Sequence, residues 1–244
     1  MQHLLKTSAK VSRMLLLGAA VAASGSNVGA QSATVPGSAN PNLAGRANLY
    51  ACCSGDAVPG QAPPFITVSA GAFLTFAVTG SSSFLGDPTP QNNPDGIWNV
   101  SLVNYGDGIS APLNVRFNAL LGVFLGASDP TGTMTPAQLD FATGLNFASL
   151  APGIGQIFFI GDGLTSDSNL GQFDGMAQIF SVPDGATRLF FGSGDGFGWN
   201  NNSGSFAVEA TSSGPGQVVP EPATVALLAA GLAGLGAFGR RRKA

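Results

Sequence analysis

Ala72-Phe73-Leu74-Thr75-Phe76-Ala77-Val78-Thr79 decides the fold class. In an extended chain successive side chains point to opposite faces. Leu74, Phe76 and Val78 therefore share one face, against Phe73 and Thr75 on the other, as in a strand of a sandwich. Further short apolar runs lie at Leu113–Phe117, Leu120–Leu125, Gln156–Ile160, Met176–Val182, Arg188–Phe191 and Ser205–Glu209. Clusters of Gly, Asp, Asn and Pro separate them, which is turn chemistry. Between residues 65 and 210 no long stripe of period 3.6 occurs, and the best helical candidate is a short turn over Thr135–Phe141. The pattern predicts an all-β chain with one β-sandwich over 65–210.

Outward from that domain the text thins. Residues 31–64 are rich in Ser, Ala, Gly, Pro and Asn and read as an N-terminal segment, partly linker, with a first strand near Arg46–Cys52. Residues 211–218 read as a Gly/Ser/Pro stalk. Charged residues make up 9% of the chain, far below the roughly 25% of an average soluble domain. The 17 Phe argue against disorder and for a packed core, because disordered chains are poor in aromatics.

Both ends carry targeting chemistry. Lys6, Lys10 and Arg13 precede the apolar stretch Met14–Ala23, and small residues lead to Val28-Gly29-Ala30. That is a secretory signal over 1–30, entered as a helix and cut after Ala30. At the other end, residues 219–244 begin with Val219-Pro220-Glu221-Pro222, continue with an apolar run from Ala223 to Phe238 and finish with Arg240-Arg241-Arg242-Lys243. The prolines hold the backbone extended and stop a helix from running upstream. The apolar run is slightly short of the roughly 20 residues of a comfortable span, and the cations stay on the cytoplasmic side. An uncut transmembrane anchor fits the hydropathy alone. The three-part tail resembles the PEP-CTERM sorting signal of Gram-negative bacteria, whose members are processed by the membrane protease-transpeptidase exosortase. That resemblance implies passage through the inner membrane, cleavage near Pro220–Pro222, and release to the cell surface or extracellular matrix.

The body between the signals is acidic. Over residues 31–222, Arg46, Arg116 and Arg188 stand against thirteen Asp and Glu, a net charge of about −10, and neither Lys nor His remains. Such a body does not seek nucleic acid or anionic lipid and suits divalent cations or neutral sugars. Without His, Ser-His-Asp and Cys-His relays are excluded; without Lys, so is a Schiff base. A carboxylate pair drawn from Asp162, Asp167 and Asp174 would leave glycoside hydrolysis open, but their Gly-Asp-Gly and Ser-Asp-Ser settings are those of solvated turns. The expectation is a protein that is not an enzyme. Adjacent Cys52 and Cys53 admit a strained vicinal bridge, intermolecular pairing or no essential role.

One block is more specific. Val182-Pro183-Asp184-Gly185-Ala186-Thr187-Arg188-Leu189-Phe190-Phe191-Gly192 is followed by Asp195-Gly196-Phe197-Gly198-Trp199-Asn200-Asn201-Asn202-Ser203-Gly204-Ser205-Phe206. Asp195, Asn201 and Asn202 offer three side-chain oxygens within eight residues, and calcium takes six to eight oxygens. The block resembles the last two strands and intervening loop of the LecA-like calcium-dependent galactose-binding lectins, with 69–80 and 118–123 similar to that family's first core strand and central strand. The resemblance implies a jelly-roll sandwich in which Asp195, Asn201 and Asn202, with the carbonyls of Gly198 and Phe84, hold Ca2+, and sugar hydroxyls complete the shell. The sequence departs from the family in a shorter Asp195–Asn201 interval and in Phe117, Asn118 and Ala119 where polar residues grip the sugar. Trp98, Tyr105 and Trp199 lie in polar loops where rings either stack on sugars or anchor the loop; Trp199, inside the calcium loop, is the sugar-contact candidate. Two functions follow: a surface or matrix protein with a calcium-dependent domain for neutral polysaccharide, or a purely structural matrix protein without ligand.

Overall fold

The computed structural model of the chain describes residues 29–49, 60–84, 86, 89, 91–165 and 175–214. The described residues are built from strands, with only two single-turn 3-10 segments, at Pro41–Leu43 and Trp199–Asn201. The strands are β1 (Gly29–Pro36), β2 (Phe65–Thr67), β3 (Phe73–Ser83), β4 (Ile97–Val100), β5 (Val115–Phe117), β6 (Leu120–Leu125), β7 (Ser149–Leu150), β8 (Ile157–Phe159), β9 (Ile179–Ser181), β10 (Arg188–Ser193) and β11 (Ser203–Ser213). A five-stranded sheet has the order β1-β11-β3-β9-β7 and a four-stranded sheet the order β2-β10-β6-β8; β4 and β5 form a separate pair.

The alternation read from Ala72–Thr79 holds. Leu74, Phe76 and Val78 are buried, and Phe206, Val208 and Ala210 of the neighbouring β11 join them. Phe76 meets Phe191 of the opposite sheet at 6.0 Å, and Phe180 meets Phe158 at 5.6 Å, so aromatic edges close the space between the two layers. Gly122, in β6, lies opposite Phe191 and Phe158. A Cβ there would come within 2.8 Å of Ile160 and Phe158, so glycine is what lets those rings lie across the central strand. All six residues of β6 are buried. This strand is covered on both faces and reads as a continuous apolar run rather than an alternating one.

Three expectations change. First, the strand at the head of the N-terminal segment lies at its start and not near Arg46–Cys52: β1, eight residues of which six belong to 31–64, pairs antiparallel with β11 from Gly29↔Ser212 to Pro36↔Ser205. Gln31 ties that edge to the other sheet by donating to Thr67 O at 2.7 Å. Val35 is the one fully buried side chain of β1, so a strand with so little apolar content leaves almost no period-2 signal. The strand begins ahead of Gln31, and no strand forms over Arg46–Leu49; Tyr50–Cys53 lie outside the described residues. Second, Thr135–Phe141 is not a helical turn. Its backbone bonds outward instead: Leu113 N donates to Leu139 O and Phe141 N to Leu113 O, while Ala137 O accepts from Ser110 Oγ and Gln156 Nε2. Third, β11 runs through Ser213, so the first residues of the expected stalk are strand. The signal segment before Gly29, the sorting tail, Cys52, Cys53, Asp167 and Asp174 lie outside the described residues.

Candidate functional site: the loop end of the sandwich

The segment after β10 is shaped by glycines and by one carboxylate. Gly194 follows the strand where a Cβ would meet Arg116 O at 2.8 Å. Asp195 then turns inward and is buried. Its Oδ1 accepts from Phe197 N at 3.1 Å, a local Asx turn. Its Oδ2 accepts from Asn202 Nδ2 at 2.8 Å. Gly198 (φ 78°) takes the left-handed conformation that starts the 3-10 turn over Trp199–Asn201. Asn202 leaves that turn extended, with Nδ2 also donating to Gly37 O at 3.1 Å. Asp195 and Asn202 thus form a latch across the loop, and the segment just after β1 closes it.

Trp199 lies under this latch. Its exposure is 0%, and Nε1 donates to Ser193 O at 3.0 Å. The ring expected to touch sugar is instead the anchor of the loop, because the short turn between Gly198 and Asn202 points it inward against the end of β10. Asn201 is exposed, and its carbonyl accepts from Gly86 N at 2.6 Å. That bond brings the Phe84 loop against the Asp195 loop. The five expected metal ligands therefore gather at one end of the sandwich, where Asp195 and Asn202 are joined directly, side chain to side chain.

The fit of a cation can be judged on this geometry. Asp195 is the one carboxylate of the set, and among the described residues no group of three or more His, Cys, Asp or Glu could hold a metal ion. Asn202 Oδ1 is buried with no hydrogen-bond partner, whereas Nδ2 holds both acceptors. Turning the amide over would exchange the two atoms and aim three oxygens, from Asp195, Asn202 and Gly37, at one point. In that turned state they would offer calcium three of the six to eight oxygens it takes, and Gly37 O would be one that sequence alone does not suggest.

Beside the latch, Asn118 has φ 58° and is buried. Its N–H donates to Gly194 O at 2.6 Å, its carbonyl accepts from Ser82 Oγ at 3.3 Å and its Oδ1 accepts from Asn92 Nδ2 at 2.9 Å. It ties the end of β3 to the loops at Asn92 and Gly194. Phe117, by contrast, turns its ring towards Trp98 and Phe84, with centroids at 5.8 and 5.3 Å. Phe84 also meets Trp98 at 5.6 Å. Trp98 is 59% exposed, so of the two tryptophans it is this one that faces solvent. Tyr105 reaches back into the loop, its hydroxyl donating to Gly196 O at 3.2 Å.

Asp162, a candidate acid from sequence, is buried, and its Oδ1 accepts from Leu164 N at 2.8 Å. Its own N–H donates to Asp95 Oδ1 at 2.9 Å. Burial raises the Asp95 carboxyl above the usual carboxylate range, against the opposing pull of that backbone bond and of Arg116. The pair organises the turn after β8.

The comparisons with known proteins speak to the far end of the chain. Among curated proteins none matches. Residues 218–243 match the model of the PEP-CTERM protein-sorting motif, so the segment that follows the sandwich is the signal of an exported, exosortase-sorted protein.

Proposed function

We propose that this protein presents a single β-sandwich at the cell surface or in the extracellular matrix, where the domain binds neutral units of exopolysaccharide. Exosortase cleaves it near Pro220–Pro222 after a transient stay in the inner membrane. The observation that carries the reading is the sorting motif, which begins at 218, directly after β11 ends at Ser213. The sandwich is what that signal delivers. The charge supports a neutral partner, since over residues 31–222 three arginines against thirteen acids repel anionic polymers and lipids. The finer part of the proposal is calcium, held by Asp195 and Asn202 after the amide turn, with Asn201, Gly198 and Phe84 around it.

Mass spectrometry of the protein recovered outside the native host's cells tests the sorting; an intact C-terminus through Arg242 refutes it. A thermal melt with calcium against chelator tests the metal. A ligand at a hundredfold excess over its dissociation constant adds about 2.7 kcal/mol to the folded state. An unchanged midpoint at millimolar calcium, or an equal rise in the Asp195→Ala/Asn202→Ala double variant, removes calcium. The second reading, a structural matrix domain without ligand, is favoured by the latch itself: Asp195, Asn202 and Trp199 all find protein partners.

A further inference from the structure

We propose that Trp98, Phe117 and Phe84 form a stacking platform for a neutral polysaccharide and that the platform works without a metal ion. The local sequence builds it. β4 and β5 pair with Ile97 opposite Phe117 and Asn99 opposite Arg116, and the register slips between Ile97 and Asn99. The slip falls on Trp98. Regular alternation would send Trp98 to the face opposite Phe117; the irregularity re-aims it, as bulges do beside functional sites. The indole lies nearly parallel to Phe117, at 15° and 5.8 Å, and Phe84 stands edge-on to both rings, at 79° and 84°. One indole face is thus backed by a ring while 59% of the residue meets solvent.

Folding alone does not reward this arrangement. A tryptophan left mostly in water gains little burial, yet two neighbouring rings hold its rotamer. A ring fixed in this way loses little freedom when a ligand docks. The occupant follows from the chemistry. An aromatic face carries a negative quadrupole and attracts C–H groups, and a pyranose offers such a face with hydroxyls around its rim. The acidic body turns away uronate polymers and anionic lipid. A second copy of the chain would need about 800 Å² from each partner, far beyond three rings. The inference rests on the functional reading above for its compartment and ligand class, but not for its calcium.

The test uses the full-length chain in a polyoxyethylene detergent, which carries no sugar. The chain has two tryptophans, and Trp199 is fully buried, so acrylamide-quenchable emission reports Trp98. Dextran, galactomannan and mixed-linkage β-glucan are titrated in calcium and in EDTA, with polygalacturonate as the charged control. We expect at least one neutral polymer to shield Trp98 equally in both buffers, and polygalacturonate to leave it exposed. Trp98→Ala, which removes the reporter and is therefore followed by co-sedimentation with insoluble polymer, weakens binding at least tenfold, about 1.4 kcal/mol, while circular dichroism shows that the sandwich still folds. Each of these results overturns the proposal: no shielding by any neutral polymer, unchanged binding by Trp98→Ala, shielding by phosphatidylcholine–detergent mixed micelles instead, or shielding by raised protein concentration alone. Binding lost in EDTA sinks the platform and leaves the calcium reading; binding kept in EDTA without a calcium effect on the melt does the reverse.

Discussion

Replacing Asn202 by Asp turns the latch of the loop into a pair of carboxylates. Asn202 Nδ2 lies 2.8 Å from Asp195 Oδ2 and 3.1 Å from Gly37 O, and Asp195 is buried. The variant loses a hydrogen bond to a charged acceptor, about 1.5–3 kcal/mol. It also sets two like charges about 4 Å apart, which adds about 4 kcal/mol at an effective dielectric near 20. One carboxyl takes up a proton rather than bear the full repulsion, so the loss at pH 7 comes to about 3–5 kcal/mol, or roughly 10 °C in the melting midpoint. The shared proton raises that acid's folded pKa above its unfolded value. The deficit is therefore full at high pH and shrinks as pH falls through the raised value. Melts followed by circular dichroism at pH 7 and pH 5, in EDTA, measure both effects. Asp195→Asn combined with Asn202→Asp restores a donor facing a carboxylate and recovers part of the loss. Calcium at millimolar level rescues Asn202→Asp if three oxygens can converge there. A variant that melts with the natural protein at pH 7 in EDTA would refute the latch.

Arg46→Ala lowers stability by about 3 kcal/mol in urea unfolding, because the buried guanidinium donates to Asn42 O, Asp107 Oδ2, Thr131 Oγ1, Gly106 O and Asp107 O; Arg46→Lys, with three donors on one nitrogen, recovers less than half. Asp129 is lowered to about 2 by hydrogen bonds from the Thr131 side chain and from the Ala47 and Thr131 backbone. Its contribution is present above its unfolded value near 3.9 and is lost as pH falls through the folded one, so Asp129→Asn flattens the acid limb of the stability curve between about pH 4 and pH 2. Asp95 behaves in the opposite sense: burial raises it, and the ionised form weakens the fold once pH passes the unfolded value. Asp95→Asn therefore raises the melting midpoint at pH 7 and has no effect at pH 3.

The sequence shows the sandwich where one face of a strand is apolar, and loses it elsewhere. Leu74, Phe76 and Val78 advertise β3, and the runs at 120–125, 156–160, 188–191 and 205–209 fall on β6, β8, β10 and β11. β1 escapes because it is an edge whose single buried side chain is Val35, and β4 because its slipped register breaks the alternation at Trp98. At the site, the Asp195–Asn202 contact is legible in the short loop that separates them. Gly37 is not, since a backbone carbonyl supplied from a distant strand leaves no trace in composition. Nor could spacing tell the two tryptophans apart. Trp199 is drawn inward by the turn that Gly198 permits, while Trp98 is turned outward by a pairing fault visible only once β4 meets β5.

The topology also gives the loop end a direction. β11 starts at Ser203, beside Asn202, and ends at Ser213 before the sorting motif at 218–243. At its first residues it pairs with Ser83, one residue before Phe84, and the segment at Gly37 closes the latch there. At its last residues it pairs with Phe73, and Gly29 of β1 stands opposite Ser212. Eleven extended residues separate the two ends, a distance of about 30 Å at roughly 3.3 Å per residue. The chain thus enters and leaves the domain at one end, while Trp98, Phe84, Asp195 and Asn202 gather at the other. The sorting motif therefore follows the end of the domain where β11 stops, and the platform and the latch stand at the end away from it.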